Sequence, residues 1–160
     1  MRNLLTRVIF RTILVLNRID EKRGQVKANM LIKKETEYAI LGLMALAGEN
    51  GFTDVKQISE REHISETLLS KAFQKLAKAG VLESQLGPSG GFRLKKAPDS
   101  VFLLEIFEAV QGTKVMKCYE GDASYCPKAS CVLKKTIMRI EKRLDEFLSE
   151  TSLKSVIGER

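Results

Sequence analysis

The sequence predicts a mainly α-helical protein with a small β-hairpin: a winged helix-turn-helix followed by a long C-terminal dimerisation helix. Three observations carry that expectation. Apolar residues recur at helical spacing in ETEYAILGLMALAGEN and again in HISETLLSKAFQKLAKAGVL, with a short helical stretch between them. A glycine-rich turn at Gly87, Pro88, Ser89, Gly90 and Gly91 separates two short β-type runs directly after the second of these stretches. Further on, Leu133, Ile137, Ile140, Leu144 and Phe147 recur at intervals of four, three, four and three, an a/d seam over two heptads.

Composition bounds the reading. At 160 residues, 18.0 kDa and 44% apolar content, the chain can bury one core or a domain plus an appended element. The net charge of +7 divides unevenly, because residues 1–29 hold seven Lys/Arg against Asp20 and Glu21 (+5), leaving 20 minus 18 (+2) elsewhere. Bulk charge is therefore weak evidence for nucleic acid, and the case rests on where the basic residues sit. Three cysteines with low aromatic content argue against a secreted disulfide scaffold and for a reducing compartment, so a cytoplasmic location is expected.

Residues 1–29 read as a basic, partly amphipathic helix. Arg7, Arg11 and Arg18 cut its apolar runs too short to span a bilayer, and no small-residue cleavage site precedes Gly24. A membrane-surface helix is one reading. The preferred one is a leader or upstream extension with Met30 as initiator, and no membrane partner.

The domain at residues 30–97 follows in order. Tyr38, Ile40, Leu41, Leu43, Met44, Ala45 and Leu46 make a mostly buried first helix, ended by Gly48 and Asn50-Gly51. Thr53 reads as the N-cap of a short helix to about Arg61, with Val55 and Ile58 inward. Ser65 caps the next helix, Leu69, Ala72, Phe73, Leu76 and Ala79 form its inner stripe, and Gly80 stops it. Its opposite face shows Thr67, Ser70, Lys71, Gln74, Lys75 and Lys78. Two helices across a tight turn form a helix-turn-helix, although a lysine-bearing solvated face explains the periodicity equally well. The runs 81–85 and 92–95 then supply the strands of a wing, whose glycines suit a close backbone approach. Arg93, Lys95 and Lys96 can reach phosphates from it. A phosphate-binding P-loop is excluded, since Gly-Lys-Ser/Thr does not follow the glycines.

Residues 98–116 read as a linking helix with Leu103, Ile106, Phe107 and Val110 inward, closed by Gly112. Residues 117–131, KCYEGDASYCPKASC, hold every cysteine: Cys118, Cys126 and Cys131. Three chemistries fit. Structural zinc usually shows close Cys-x-x-Cys pairs, which are missing here; thiol redox sensing has Lys117 and Lys128 to lower a thiol pKa; an iron–sulfur cluster suits thiolates in a glycine-containing loop. Residues 132–160 are the dimerisation helix and tail. A monomer folding the stripe onto its own core is the alternative to a two-fold homodimer, which would present two recognition helices to a palindromic double-stranded DNA operator. No nucleophile with a partnered histidine, HExxH or nucleotide fingerprint is present, so the chain is not expected to be an enzyme.

MLIKKETEYAILGLMALA, then ISETLLSKAFQKLAKAGVLESQLGPSGGFRL, then the cysteines before a long helix, resembles the Rrf-two (BadM) family of bacterial winged-helix regulators over residues 30 to about 150. Its members include an iron–sulfur cluster regulator, a nitric-oxide sensor and an iron-responsive regulator. The resemblance implies DNA contacts from Ser65, Thr67, Ser70 and Lys71 and from the wing at Gly87–Gly91, a homodimer, and an iron–sulfur cluster, two-iron or four-iron, on the three cysteines. It also implies a fourth ligand from the first helix of the partner subunit, which falls on Glu37 here. Three departures stand out. Leu86 replaces an arginine that often precedes the Gly-Pro turn and enters the minor groove, Lys134 stands where some members have a ligating histidine, and the cysteine spacing is uneven. His63, the only histidine, reads as a solvated turn residue. The rival class is a winged helix used as a protein-interaction module whose cysteines bind zinc.

Overall fold

Helix α1 (Lys34–Leu46) is the element on which the domain is built, with Ala39, Ile40, Leu43 and Leu46 buried. The computed structural model describes residues 32–87, 90–112 and 132–158, without the side chains of residues 132–134 and 137. The leader at 1–29 and the cysteine segment at 117–131 lie outside the described residues.

After α1 the chain turns and Thr53 bridges Phe92, exchanging two backbone hydrogen bonds of 3.0 Å. Helix α2 (Val55–Glu62) then starts from Asp54, whose Oδ1 accepts from the Lys56 N–H at 3.3 Å. The expectation of Thr53 as N-cap is corrected by one residue. Thr53 is held in the sheet by its backbone, and the carboxylate beside it is free to take the orphan helix donor. His63 ends α2 in the left-handed region at φ 54°, and the Ile64 N–H returns to the Ser59 carbonyl at 3.0 Å. That makes the tight turn into α3 (Glu66–Lys78), capped by Ser65 Oγ on the Leu68 N–H at 3.5 Å. Gly80, at φ 78°, terminates it as expected.

Leu69, Ala72, Phe73 and Leu76 of α3 are fully buried. Helices α1 and α3 come close at Gly42, where a Cβ would lie 2.6 Å from Leu69 Cδ1 and 2.7 Å from Phe73 Cζ. Only glycine admits that approach.

Strands β1 (Leu82–Gln85) and β2 (Gly91–Leu94) pair antiparallel with Leu82 opposite Leu94 and Glu83 opposite Arg93. Gly91 has φ 140°, and any Cβ there would strike the Thr53 carbonyl. Phe92 on β2 meets Phe73 on α3 edge to face, with ring centroids 5.3 Å apart. The wing is therefore seated on the back of the helix-turn-helix by an aromatic pair of a kind that adds about 0.5–1.5 kcal/mol to area burial.

A 3-10 turn (Pro98–Ser100) leads to α4 (Leu103–Gln111), which buries Leu103, Ile106, Phe107 and Val110. Glu105 Oε1 accepts from the Phe102 N–H at 2.9 Å, closing the first turn of α4. Helix α5 (Val132–Glu150) packs its second half against α4 and stops at Thr151, whose hydroxyl donates to the Phe147 carbonyl at 2.7 Å. A further helix, α6 (Leu153–Ile157), follows with Ser152 as N-cap. Its Leu153 and Val156 are buried, Leu153 N–H bonds the Val101 carbonyl at 2.7 Å, and Leu103 N–H bonds the Thr151 carbonyl at 2.9 Å. The segment read as a tail thus completes the core beneath α1 and the 3-10 turn.

Candidate nucleic-acid interface

The outer face of α3 is polar and open. Ser65, Thr67, Lys71, Gln74 and Lys78 are exposed, and Ser70 is half-buried. The Ser65 hydroxyl is committed to capping, so Thr67, Ser70 and Lys71 are the groups of the expected contact set whose side chains can turn outward. Among the described residues Lys71 and Lys78 have no ionic partner, leaving both ammonium groups available to phosphate. Lys75, read as part of the same basic face, is not free. Its Nζ lies 2.9 Å from Glu35 Oε1 on α1 and donates to the Val110 carbonyl on α4 at 2.9 Å.

The wing carries its cations differently. Arg93 is 2.8 Å from Glu83 across the hairpin and sits over the Phe52 ring at 4.6 Å, while Lys96 is held by Glu105 at 2.9 Å. Cross-strand pairing and stacking fix the Arg93 fork before any partner arrives. Lys95 alone of the three has no ionic partner among the described residues. At the tip, Gly90 N–H bonds the Gly87 carbonyl at 2.9 Å, and Pro88 and Ser89 lie outside the described residues. Leu86 is 98% exposed, an unsupported apolar side chain where the wing turns.

Of the proposed cluster ligands only Glu37 is described. It stands in the first turn of α1, largely covered, 3.4 Å from Lys34 Nζ. Cys118, Cys126 and Cys131 lie outside the described residues, and among those described no group of three His, Cys, Asp or Glu is assembled to hold a metal. His63 is exposed in its turn, as expected.

On α5 the apolar seam divides. Ile140 is 48% exposed and its neighbour Met138 41%, Leu144 and Phe147 are half-buried, and Leu148, outside the expected seam, is the residue that α5 buries in the core. The side chains of Leu133 and Ile137 are not among those described. No helix among the described residues is long and apolar enough to cross a membrane.

Sequence reasoning missed Gly42, Gln111 and the partners of Lys75. The Glu83–Arg93 pair was within reach, because hairpin register alone sets those two residues opposite each other.

Comparison with known proteins agrees with this fold. Residues 32–159 match the Rrf2 family model, described as an iron-dependent transcriptional regulator. The HTH-type transcriptional regulator IscR of Aliivibrio salmonicida is 32% identical over 128 residues, spanning 78% of this chain and 75% of that protein. The regulator NsrR of Bacillus licheniformis is 28% identical over 135 residues, covering 80% of this chain and 92% of its own length. Among solved structures, CymR, the global cysteine regulator of B. subtilis, and IscR of T. potens each superpose with a TM-score of 0.63 at 22% identity. They cover 81% and 80% of this chain, and 97% and 86% of theirs. The chain belongs to the Rrf2 family: it is a DNA-binding transcriptional regulator with a winged-helix fold, and not an enzyme.

Proposed function

We propose that this regulator binds a palindromic operator as a two-fold homodimer and that Cys118, Cys126 and Cys131 hold an iron–sulfur cluster whose state sets operator affinity. The observation that carries this reading is positional. All three thiols fall between the last turn of α4, which is tied to α1, and α5, whose Met138 and Ile140 are uncovered. The donor set fits the group: three thiolates are soft ligands suited to iron–sulfur chemistry, and the Glu37 carboxylate of the partner subunit is the proposed fourth. When bound, such a cluster supplies a centre sensitive to oxygen, nitric oxide or iron supply.

The chain's own residues do the rest. Thr67, Ser70 and Lys71 meet the major groove and its phosphates, with Gly87, Pro88, Ser89, Gly90, Gly91 and Arg93 of the wing alongside. The exposed stripe of α5 pairs with its copy in a second subunit and fixes the spacing of the two recognition helices. Because the cysteine segment joins α4 to α5, its order or disorder acts on that spacing.

Anaerobic purification with iron and acid-labile sulfide assays tests the reading. Visible charge-transfer absorption that disappears in Cys126→Ser is the expected result. Stoichiometric zinc without sulfide, or thiols that bind nothing, would reject the cluster and leave the DNA-binding function standing.

A further inference from the structure

The end of the recognition helix is tied into a three-way polar junction with α1 and α4. Lys75 Nζ, in the last turn of α3, lies 2.9 Å from Glu35 Oε1 in the first turn of α1 and donates to the Val110 carbonyl of α4 at 2.9 Å. That carbonyl is one of the C-terminal acceptors that a helix leaves without an internal partner. From the other side, Gln111 of α4 caps α1. Lys33 holds the N-cap position with a side chain that cannot accept, and Gln111 Oε1 takes its N–H at 3.0 Å and the fully buried Thr36 hydroxyl at 3.1 Å. Lys33 Nζ donates in turn to the Gln111 carbonyl at 3.3 Å.

We propose that Lys75 is a positioning residue, not a DNA contact: with Gln111 it sets the seat of α3 against α1 and the end of α4, so that operator affinity depends on how α4 ends. The side-chain chemistry favours this over phosphate binding. An ammonium group held by a largely covered carboxylate and a helix-terminal carbonyl has two of its three donors in use. Turning it to a phosphate would strand the Val110 carbonyl and separate an ion pair whose Glu35 side chain is only 20% exposed. The junction also lies at the end of α4, where the chain leaves for the cysteine segment.

The inference rests on the DNA-binding function and not on the cluster, and its test uses no cluster. Duplexes selected by the wild-type full-length protein from a random-sequence pool are titrated with the wild type and with Lys75→Met, Lys75→Arg, Gln111→Ala and the Lys75→Met/Gln111→Ala pair, over a range of salt. A phosphate contact and a positioning tie give different salt slopes, since each lost phosphate contact lowers the slope of log affinity against log salt by about one. The expected result is about tenfold weaker binding by Lys75→Met with the slope unchanged, near-wild-type binding by Lys75→Arg, and similar weakening by Gln111→Ala. The double variant is expected to be no weaker than about the weaker single one, because both act on one junction. A slope reduced by about one in Lys75→Met, wild-type affinity in both single variants, or full additivity in the pair would overturn the proposal. A wild-type protein that selects no sequence overturns operator recognition and this inference together, whereas loss of the cluster reading touches neither arm.

Discussion

Helices α3 and α5 carry the same kind of signal in sequence, an apolar stripe at helical spacing, and meet opposite fates in the fold. On α3 the stripe is covered up to the helix end: Leu69, Ala72, Phe73 and Leu76 have no exposed surface, because Gly42 lets α1 come close and Phe92 of the wing closes the remaining side, while Ala79, expected in the stripe, is the exposed C-cap. On α5 Leu148 is buried while Met138 and Ile140 stand open. A stripe shows which face wants cover, and only tertiary partners show whether the chain itself supplies it. Under the proposed function the two outcomes divide the labour, one helix fixed for reading DNA and the other left to meet a second copy.

The largest expected effect strikes the covered stripe. Phe73→Ala removes the ring that packs beside Gly42 and meets Phe92, and is expected to lower unfolding free energy by about 3–5 kcal/mol, read by denaturant titration. Gly42→Val approaches the same contact by overfilling it. A loss of about 1–3 kcal/mol is expected, with DNA binding impaired along with the melting temperature as α3 is pushed outward. Unchanged stability in both variants would erase the contrast between the two helices.

Ile140→Asp attacks the open stripe. Its side chain is half exposed within the chain, so stability of the single subunit is expected to change by less than about 0.5 kcal/mol. Sedimentation is expected to show a dimeric wild type and a monomeric variant. A variant that loses fold stability without a change of mass would place α5 with α3 instead.

Smaller effects sharpen the reading face. Lys71→Ala is expected to weaken binding uniformly across sequences and to lower the salt slope by about one. Leu86→Arg puts a cation on the exposed wing turn and is expected to raise that slope by up to about one, with a gain for A·T-rich flanks. Electrophoretic shifts at several salt concentrations read both.

Much of this was legible in sequence where the cause is local. Ser65, the Gly80 stop, the inner stripe of α3 and the hairpin follow from capping, backbone freedom and periodicity within a few residues. The misreadings have distant causes. Thr53 lost the cap to Asp54 because Phe92 holds its backbone, and Lys75 keeps its place on the exposed face as read but is engaged there by Glu35 and the Val110 carbonyl. Helix α6 went unseen because Leu153 and Val156 are too few for a periodic signal, although Ser152 gives it a proper cap. Within the candidate site, the exposed polar face of α3 was legible; the commitment of Arg93 to Glu83 and Phe52 needed the folded hairpin.

The most direct test of the account is operator affinity in two states of one sample. Anaerobically purified protein is titrated onto its own promoter DNA by fluorescence anisotropy, before and after treatment that strips the metal and sulfide proposed for Cys118, Cys126 and Cys131. The account predicts specific binding that changes by at least about tenfold, or about 1.4 kcal/mol, between the states. Equal affinity in both states, with the fold intact, would contradict it.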